Sequence, residues 1–336
     1  MRKAFVFGKF MPFHKGHEAM IRFALTKCDF LTVLICVSDQ ETMPAVLRKT
    51  WIDETFKEEQ RVEIVTYHYD ENILPSSSVT SASISEVWAV VFKELLPDYS
   101  ILITSEPYGE LVAGYMGITH IPFDPERKQV PVSATMVRNN LWEAWPYLPD
   151  SVKATMVKKV VILGTESTGK TTLTGRLAAH FKAAAIMEAG RDIVENSHHF
   201  SMEDLYSIAA AHAKSIQAAD APLLIIDTDI HITISYGEFT FGQTIQIENY
   251  VFDINKGDLY LYLDNDVPFV QDGTRIDEAA RNELDGSHRK VLEKYGIHYD
   301  VISGDWDERF EQAVGLINRL VNFRSQGANF SSVTHN

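Results

Sequence analysis

Apolar residues along the chain fall into two kinds of run. Short continuous stretches rich in β-branched and aromatic residues alternate with longer stretches in which apolar positions return every three or four residues. The first kind predicts strands at 3–7, 30–37, 61–65, 100–104, 159–163, 223–227 and 259–263. The second predicts helices at about 17–26, 46–56, 84–95, 134–144, 171–181, 202–219 and 277–295. Strand and helix signals in alternation imply an α/β chain, with mostly parallel sheets covered by helices on both faces. Two strand–glycine–helix openings divide it, one at Gly8 and one at Gly164, and their different spacing argues against an internal repeat.

The boundary is expected within 146–157, where Pro146 and Pro149 interrupt the helix that ends near Trp145. The domains are then 1–150 and 157–323, with a polar, frayed tail at 324–336. The Ser-rich stretch 75–83 reads as a loop ending in a helix cap, with Ser83 and Glu86 at capping-box spacing.

Length agrees with two domains: the chain has 336 residues, and single cores seldom grow past about 250–300. Forty-five per cent apolar and 23 per cent charged is an ordinary globular balance. A net charge of −15 argues against nucleic-acid binding, which needs a broad basic face, but not against a local phosphate site. Cys28 and Cys36 sit in apolar stretches and offer neither a disulfide framework nor metal-ligand spacing. No apolar run reaches the roughly 20 residues of a membrane span and none opens the chain as a signal peptide, so a cytoplasmic location is expected.

The second glycine loop, Gly164-Thr165-Glu166-Ser167-Thr168-Gly169-Lys170-Thr171, fits G-x-x-x-x-G-K-[ST] in full, after an apolar strand and before a helix. Its glycines let successive backbone N–H groups point into one concavity, and the helix N-terminus adds partial positive charge. Lys170 would reach the β and γ phosphates of ATP, and Thr171 would offer its hydroxyl to Mg2+, with Thr172 continuing the nucleotide cradle. Asp227 and Asp229 end a buried strand, as expected for groups facing Mg2+ or an acceptor hydroxyl. Glu188 and Arg191 follow the next strand signal and are candidates for acceptor binding. Arg275, in Asp272-Gly273-Thr274-Arg275, resembles the entrance to a lid and would meet charge on the transferring phosphoryl group.

The first loop, Gly8-Lys9-Phe10-Met11-Pro12-Phe13-His14-Lys15-Gly16-His17, lacks the lysine–hydroxyl ending of a P-loop. No third ligand of matching spacing supports metal binding by its histidines. The pattern suits a strand-to-helix phosphate turn in which Gly16 opens the helix and His14 and His17 donate hydrogen bonds that strengthen as charge develops.

G-x-F-x-P-x-H-x-G-H resembles the signature of the nucleotidylyltransferase superfamily. Its usual companion, of the Ser-Ser-Thr-x-x-Arg type, appears as Ser133-Ala134-Thr135-Met136-Val137-Arg138, with Ala134 in place of the second serine. Ser105-Glu106-Pro107-Tyr108-Gly109, Asp124-Pro125-Glu126-Arg127, Arg48-Lys49-Thr50-Trp51 and the late Gly304-Asp305-Trp306-x-x-Arg309-Phe310 complete the likeness. From about residue 3 to 320 the chain is similar to the bifunctional nicotinamide-mononucleotide adenylyltransferase / ribosylnicotinamide kinase (NadR-like) family.

That resemblance implies an N-terminal Rossmann-like nucleotidylyltransferase fold and a C-terminal P-loop NTPase fold of the nucleoside-kinase kind. It implies phosphorylation of nicotinamide riboside with MgATP, then adenylylation of nicotinamide mononucleotide to NAD and pyrophosphate by direct in-line attack. Gly8, Lys9, Phe10, Gly16, Ser133, Thr135 and Arg138 would then serve the adenylylating nucleotide, and Glu106, Tyr108 and Arg127 its co-substrate. Trp88 is a candidate to stack on the pyridine ring, with a core position as the alternative. The family's helix-turn-helix domain has no counterpart, since the first strand begins by residue 3, so DNA-linked repression is not expected. Two other readings stay open: an adenylyltransferase–kinase of another vitamin precursor, and a nucleotide-sensing regulator with weakened catalysis. Assembly into a homo-oligomer and the choice between amidated and acid pyridines are also left open.

Overall fold

The computed structural model describes residues 1–76, 81–193, 200–266 and 278–322. It divides into two compact units, 1–156 and 157–322. The expected lid entrance at Asp272–Arg275 and the polar tail at 324–336 lie outside the described residues, as does part of the Ser-rich loop.

The first unit is one five-stranded parallel sheet of β1 (Lys3–Gly8), β2 (Phe30–Ser38), β3 (Val62–Tyr69), β4 (Ile101–Thr104) and β5 (Thr119–Pro122), in the order β3-β2-β1-β4-β5. The register sets Phe5 against Thr32 on one side and against Leu102 on the other. Its helices are α1 (Lys15–Leu25), α2 (Ala45–Thr55), α3 (Ala82–Leu95), α4 (Tyr108–Met116), α5 (Ala134–Asn139), α6 (Leu141–Ala144) and α7 (Asp150–Met156). Ala4, Phe5 and Val6 are fully buried, because a central parallel strand is covered on both faces. Phe5, Phe7, Trp88, Phe92, Val112 and Met116 form the core beneath α3 and α4.

The second unit repeats the principle with another order. Strands β6 (Lys158–Leu163), β7 (Ala184–Ile186), β8 (Leu223–Asp227), β9 (Leu259–Leu263) and β10 (Asp300–Ile302) lie parallel as β10-β9-β6-β8-β7. The helices are α8 (Lys170–Phe181), α9 (Gly190–Ile193), α10 (Met202–Ala218), α11 (Ile230–Phe241), α12 (Asn249–Asn255), α13 (Glu278–Lys294) and α14 (Trp306–Asn322). Val160 to Leu163 are fully buried, and Val161, Leu163, Ile226, Tyr262 and Leu292 share one core cluster. In both units the first strand is central, so the loop at its carboxyl end opens where the strand order reverses, the usual ligand crevice of such sheets. The fold is thus two parallel-sheet α/β units, Rossmann-like and P-loop NTPase-like.

Three local expectations change. The helix expected over 134–144 is two, because Asn140 leaves the helical region (φ −147°) and its side chain accepts from the Glu143 N–H at 3.3 Å, capping α6. α3 begins at Ala82, one residue before Ser83: extended Ser81 is its N-cap position, and its hydroxyl pairs with that of Ser83 at 3.0 Å. Residues 150–156, within the stretch expected to hold the boundary, fold as α7 of the first unit, tied to α2 through Ser151 Oγ to the Trp51 carbonyl (2.9 Å) and the Trp51 indole N–H to Thr155 Oγ1 (2.7 Å). No helix among the described residues is long and apolar enough to cross a membrane.

Candidate active sites

In the first unit the chain leaves β1 at Gly8 and turns through Phe10, whose φ of 49° lies in the left-handed region, into α1. His14 is the N-cap of that helix: its Nδ1 accepts from the His17 N–H at 3.3 Å. This bond fixes the tautomer, leaving Nε2–H as the donor. The two imidazoles stack at 3.6 Å, with Phe10 edge-on to His17 at 4.9 Å. A Cβ on Gly16 would sit 3.0 Å from the His14 ring, so the close packing of the first turn requires glycine there. Burial, and then the charge of Arg127, lower the His14 pKa to about 3. Burial, His14 and Arg127 push His17 well below the ordinary histidine value. Both rings are therefore neutral donors at pH 7, not cations.

Positive charge comes from other residues. Lys9 Nζ lies 2.9 Å from Glu41 and 3.3 Å from Glu71; burial works against its charge, but these carboxylates and Tyr69 raise its pKa overall. Arg48 is fully buried, with NH1 on the Lys9 carbonyl (2.9 Å) and on Glu41 (2.8 Å), while its Nε and NH2 have no partner among the described residues. Arg127, also at positive φ (51°), pairs with Glu106 at 2.8 Å. Its loop is built on Asp124, whose carboxylate accepts from the N–H groups of Lys128, Gln129 and Val130 at 2.8 to 3.1 Å.

The second motif meets the first through Arg138, which donates to the Met11 carbonyl (2.5 Å) and to Thr135 Oγ1 (3.1 Å). Ser133 Oγ caps α5 by accepting from the Met136 N–H at 3.1 Å, which leaves its hydroxyl proton to donate. One sequence expectation changes. Trp88 is a core residue, 1% exposed, edge-on to Tyr69 at 5.0 Å, with its indole N–H on the Pro75 carbonyl at 2.9 Å. A ring so covered presents no face to a pyridine in this structure. Tyr108 starts α4, with its ring 5.5 Å from Phe7 and its hydroxyl pKa raised by burial and then by Glu106.

In the second unit, Gly164 (φ 139°), Ser167 (61°) and Gly169 (89°) turn the loop into α8. Thr168 Oγ1 donates to the Thr165 carbonyl at 2.8 Å, and Lys170 Nζ to the same carbonyl at 3.0 Å. The loop is clasped from outside by Arg309, 1% exposed. It donates to the carbonyls of Thr168 (3.1 Å), Gly304 (2.8 Å) and Asp264 (3.1 Å) and pairs with Asp266. A Cβ on Gly169 would fall 2.3 Å from the Trp306 ring.

Thr171 Oγ1 donates to Asp227 Oδ2 at 2.7 Å. A hydroxyl beside a buried carboxylate at the P-loop end is a hard-oxygen pair that fits Mg2+, which takes few protein ligands and completes its shell with water and phosphate. Thr172 occupies the next position of α8. Asp229 is different. It is the N-cap of α11, accepting from the N–H groups of His231 (3.0 Å) and Ile232 (3.3 Å), with its other oxygen 2.6 Å from His231 Nδ1. Both oxygens are committed inside the protein, which removes Asp229 from the acceptor-binding set. Glu188 follows β7, two residues before α9, and its charge reaches Tyr236. The side chain of Arg191 and all of Arg275 lie outside the described residues. Tyr236 had no signal in the sequence, yet its hydroxyl donates to Glu166 Oε1 at 3.1 Å.

A family model described as an AAA domain matches residues 159–309. The chain is 30% identical to the trifunctional NAD biosynthesis/regulator protein NadR of Escherichia coli (strain K12), over 94% of this chain and 82% of that protein. Two solved structures share the fold at 20% identity, each covering 99% of this chain and 98% of theirs. One is a NadR protein in complex with NR (TM-score 0.58), the other a NadR protein in complex with NAD and AMP-PNP (TM-score 0.56). With a relative at this identity matched along most of its length, and both phosphate loops in place, the chain belongs to the NadR family.

Proposed function

We propose that this NAD-biosynthetic chain carries two ATP-using activities: phosphorylation of nicotinamide riboside in the second unit, and adenylylation of the resulting mononucleotide to NAD in the first. The observation that carries the reading is the pair of different phosphate loops at the two central strands. One ends in Thr171 held on Asp227; the other ends in two neutral, stacked histidines. The relatives support it: one solved NadR protein is in complex with NR, and another with NAD and AMP-PNP.

In the kinase step the 5′-hydroxyl of the riboside attacks the γ-phosphorus of ATP and ADP leaves. Little covalent chemistry falls to the protein, so the work is positioning and charge. The loop amides and Lys170 hold the phosphates, and Thr171 with Asp227 would hold Mg2+, which when bound neutralises charge on the β and γ oxygens. In the transferase step a phosphate oxygen of the mononucleotide attacks the α-phosphorus of a second ATP, and pyrophosphate leaves. His14 and His17 act as neutral hydrogen-bond donors to the phosphates. Arg138, exposed beside the first loop, supplies positive charge for the leaving pyrophosphate.

The test is chromatography of products from purified protein, MgATP and nicotinamide riboside, with NAD and pyrophosphate expected. Lys170→Ala should block mononucleotide formation but spare its conversion to NAD. His17→Ala should do the reverse, each loss amounting to about 10²–10³ in rate. Loss of both activities in either folded variant would refute two independent sites.

A further inference from the structure

Glu166 stands inside a loop built to hold phosphates, where a carboxylate has the wrong charge. It can neither donate to a phosphate oxygen nor attract one, so its partner must be something other than the nucleotide's phosphates. Its Oε1 accepts from Tyr236 at 3.1 Å, while its Oε2 is buried and has no partner among the described residues. A carboxylate oxygen withdrawn from water and left without a donor is costly unless a ligand supplies one.

The other groups around it define which donor fits. Tyr236 lies on α11, the helix that follows Asp227 and so flanks the catalytic end of the loop. Burial, and then the charges of Glu166 and Glu188, hold the phenol protonated, so it remains a donor to Glu166. The neighbouring Ser235 is bonded to His288 Nδ1 (2.8 Å) and Ser287 Oγ (2.9 Å), which locks α11 to α13 and fixes the Tyr236 ring 5.4 Å from that of His288. One oxygen of Glu166 is thus held rigidly by the protein and the other is left to accept.

We propose that Glu166 receives a ribose hydroxyl of the phosphoryl acceptor through Oε2, with Tyr236 as the residue that positions it. This rests on the kinase reading above and assigns Glu166 to the acceptor rather than to the nucleotide. The acceptor class is then a nucleoside with an intact ribose diol, and deoxy sugars are discriminated against.

The test compares kcat/KM for nicotinamide riboside with that for its 2′-deoxy and 3′-deoxy analogues, in each variant separately, so that partial misfolding cancels in the ratio. Wild type should favour the riboside over at least one analogue by about 10–100-fold, the range expected of one hydrogen bond to a charged group. Glu166→Ala should bring that ratio close to one, with the KM for ATP changed less than about twofold. Glu166→Gln, close to isosteric, should lower it in part. Tyr236→Phe should raise the riboside KM and reduce the ratio while leaving the KM for ATP alone. An undiminished ratio in Glu166→Ala, or a rise confined to the KM for ATP, overturns the proposal and leaves the kinase reading intact. A wild type that discriminates against neither analogue also overturns it. Absence of any riboside phosphorylation by wild type overturns both.

Discussion

Asp227 and Asp229 are two positions apart at the end of one strand, and the structure gives them opposite work. Asp227 holds the Thr171 hydroxyl, whereas Asp229 closes the first turn of α11. Asp227→Asn should therefore cut riboside phosphorylation by about 10²–10³, measured at saturating MgATP, with a small effect on stability. Asp229→Ala should lose at least about 1–2 kcal/mol in urea unfolding, the value of a helix cap. Proton linkage gives a second residue-scale test. His14 is lowered to about 3 by burial and then Arg127, and His288 to about 3 by burial and then Lys170. Folded, both bind fewer protons than unfolded between about pH 3 and the ordinary value of 6.5. Their contribution to stability is complete above that value and drains away as pH falls. The urea midpoint should drop between pH 7.5 and pH 5, and His288→Leu should shrink the drop whatever its effect at pH 7.5. At this scale the sequence was legible where a motif prescribes placement: Lys170 and His14 stand at the starts of α8 and α1, where the two loops turn into their helices. It was not where one residue type serves two ends: Asp229 sits where either a cap or a ligand contact would place it. Tyr236 pairs with Glu166 across 70 positions, and no local pattern encodes that.

Between elements, the P-loop is held from outside by the start of α14 and the turn before it. Arg309→Met would leave three carbonyls and one carboxylate without their donor, and should cost about 3–5 kcal/mol in urea unfolding. Gly169→Ala meets two obstacles, the Trp306 ring at 2.3 Å and a φ of 89°. Adding Trp306→Ala should recover only part of the lost ATP affinity, because the backbone strain of about 1–2 kcal/mol remains. The central strands were plain from their unbroken apolar runs, as strands buried on both faces must be. β5 and β10 were not, and β7 showed only as a brief signal before Glu188. They have three or four residues and are mostly half-exposed or exposed, which leaves no run long enough to show a period. α5 and α6 merged in the sequence for a similar reason: apolar spacing passes through Asn140 undisturbed, and only its backbone reveals the break.

For the whole molecule, the two proposed activities would be linked by their shared mononucleotide, made at one loop and consumed at the other. A mixture of the Lys170→Ala and His17→Ala proteins, neither able to make NAD from riboside, should make it together after a lag in which mononucleotide accumulates. Both units place their first strand at the centre of the sheet, and this bears on how the chain emerges from the ribosome. β1 finds its neighbour β2 soon after synthesis, because Phe30 follows closely. β6 has no such early partner: the next strand made, β7, pairs with β8, and β6 itself waits for residues 223 and 259. Its apolar edges, Val160 to Leu163, stay open while that length of chain is made. The nascent second half is thus the stretch most exposed to aggregation and most in need of chaperone cover.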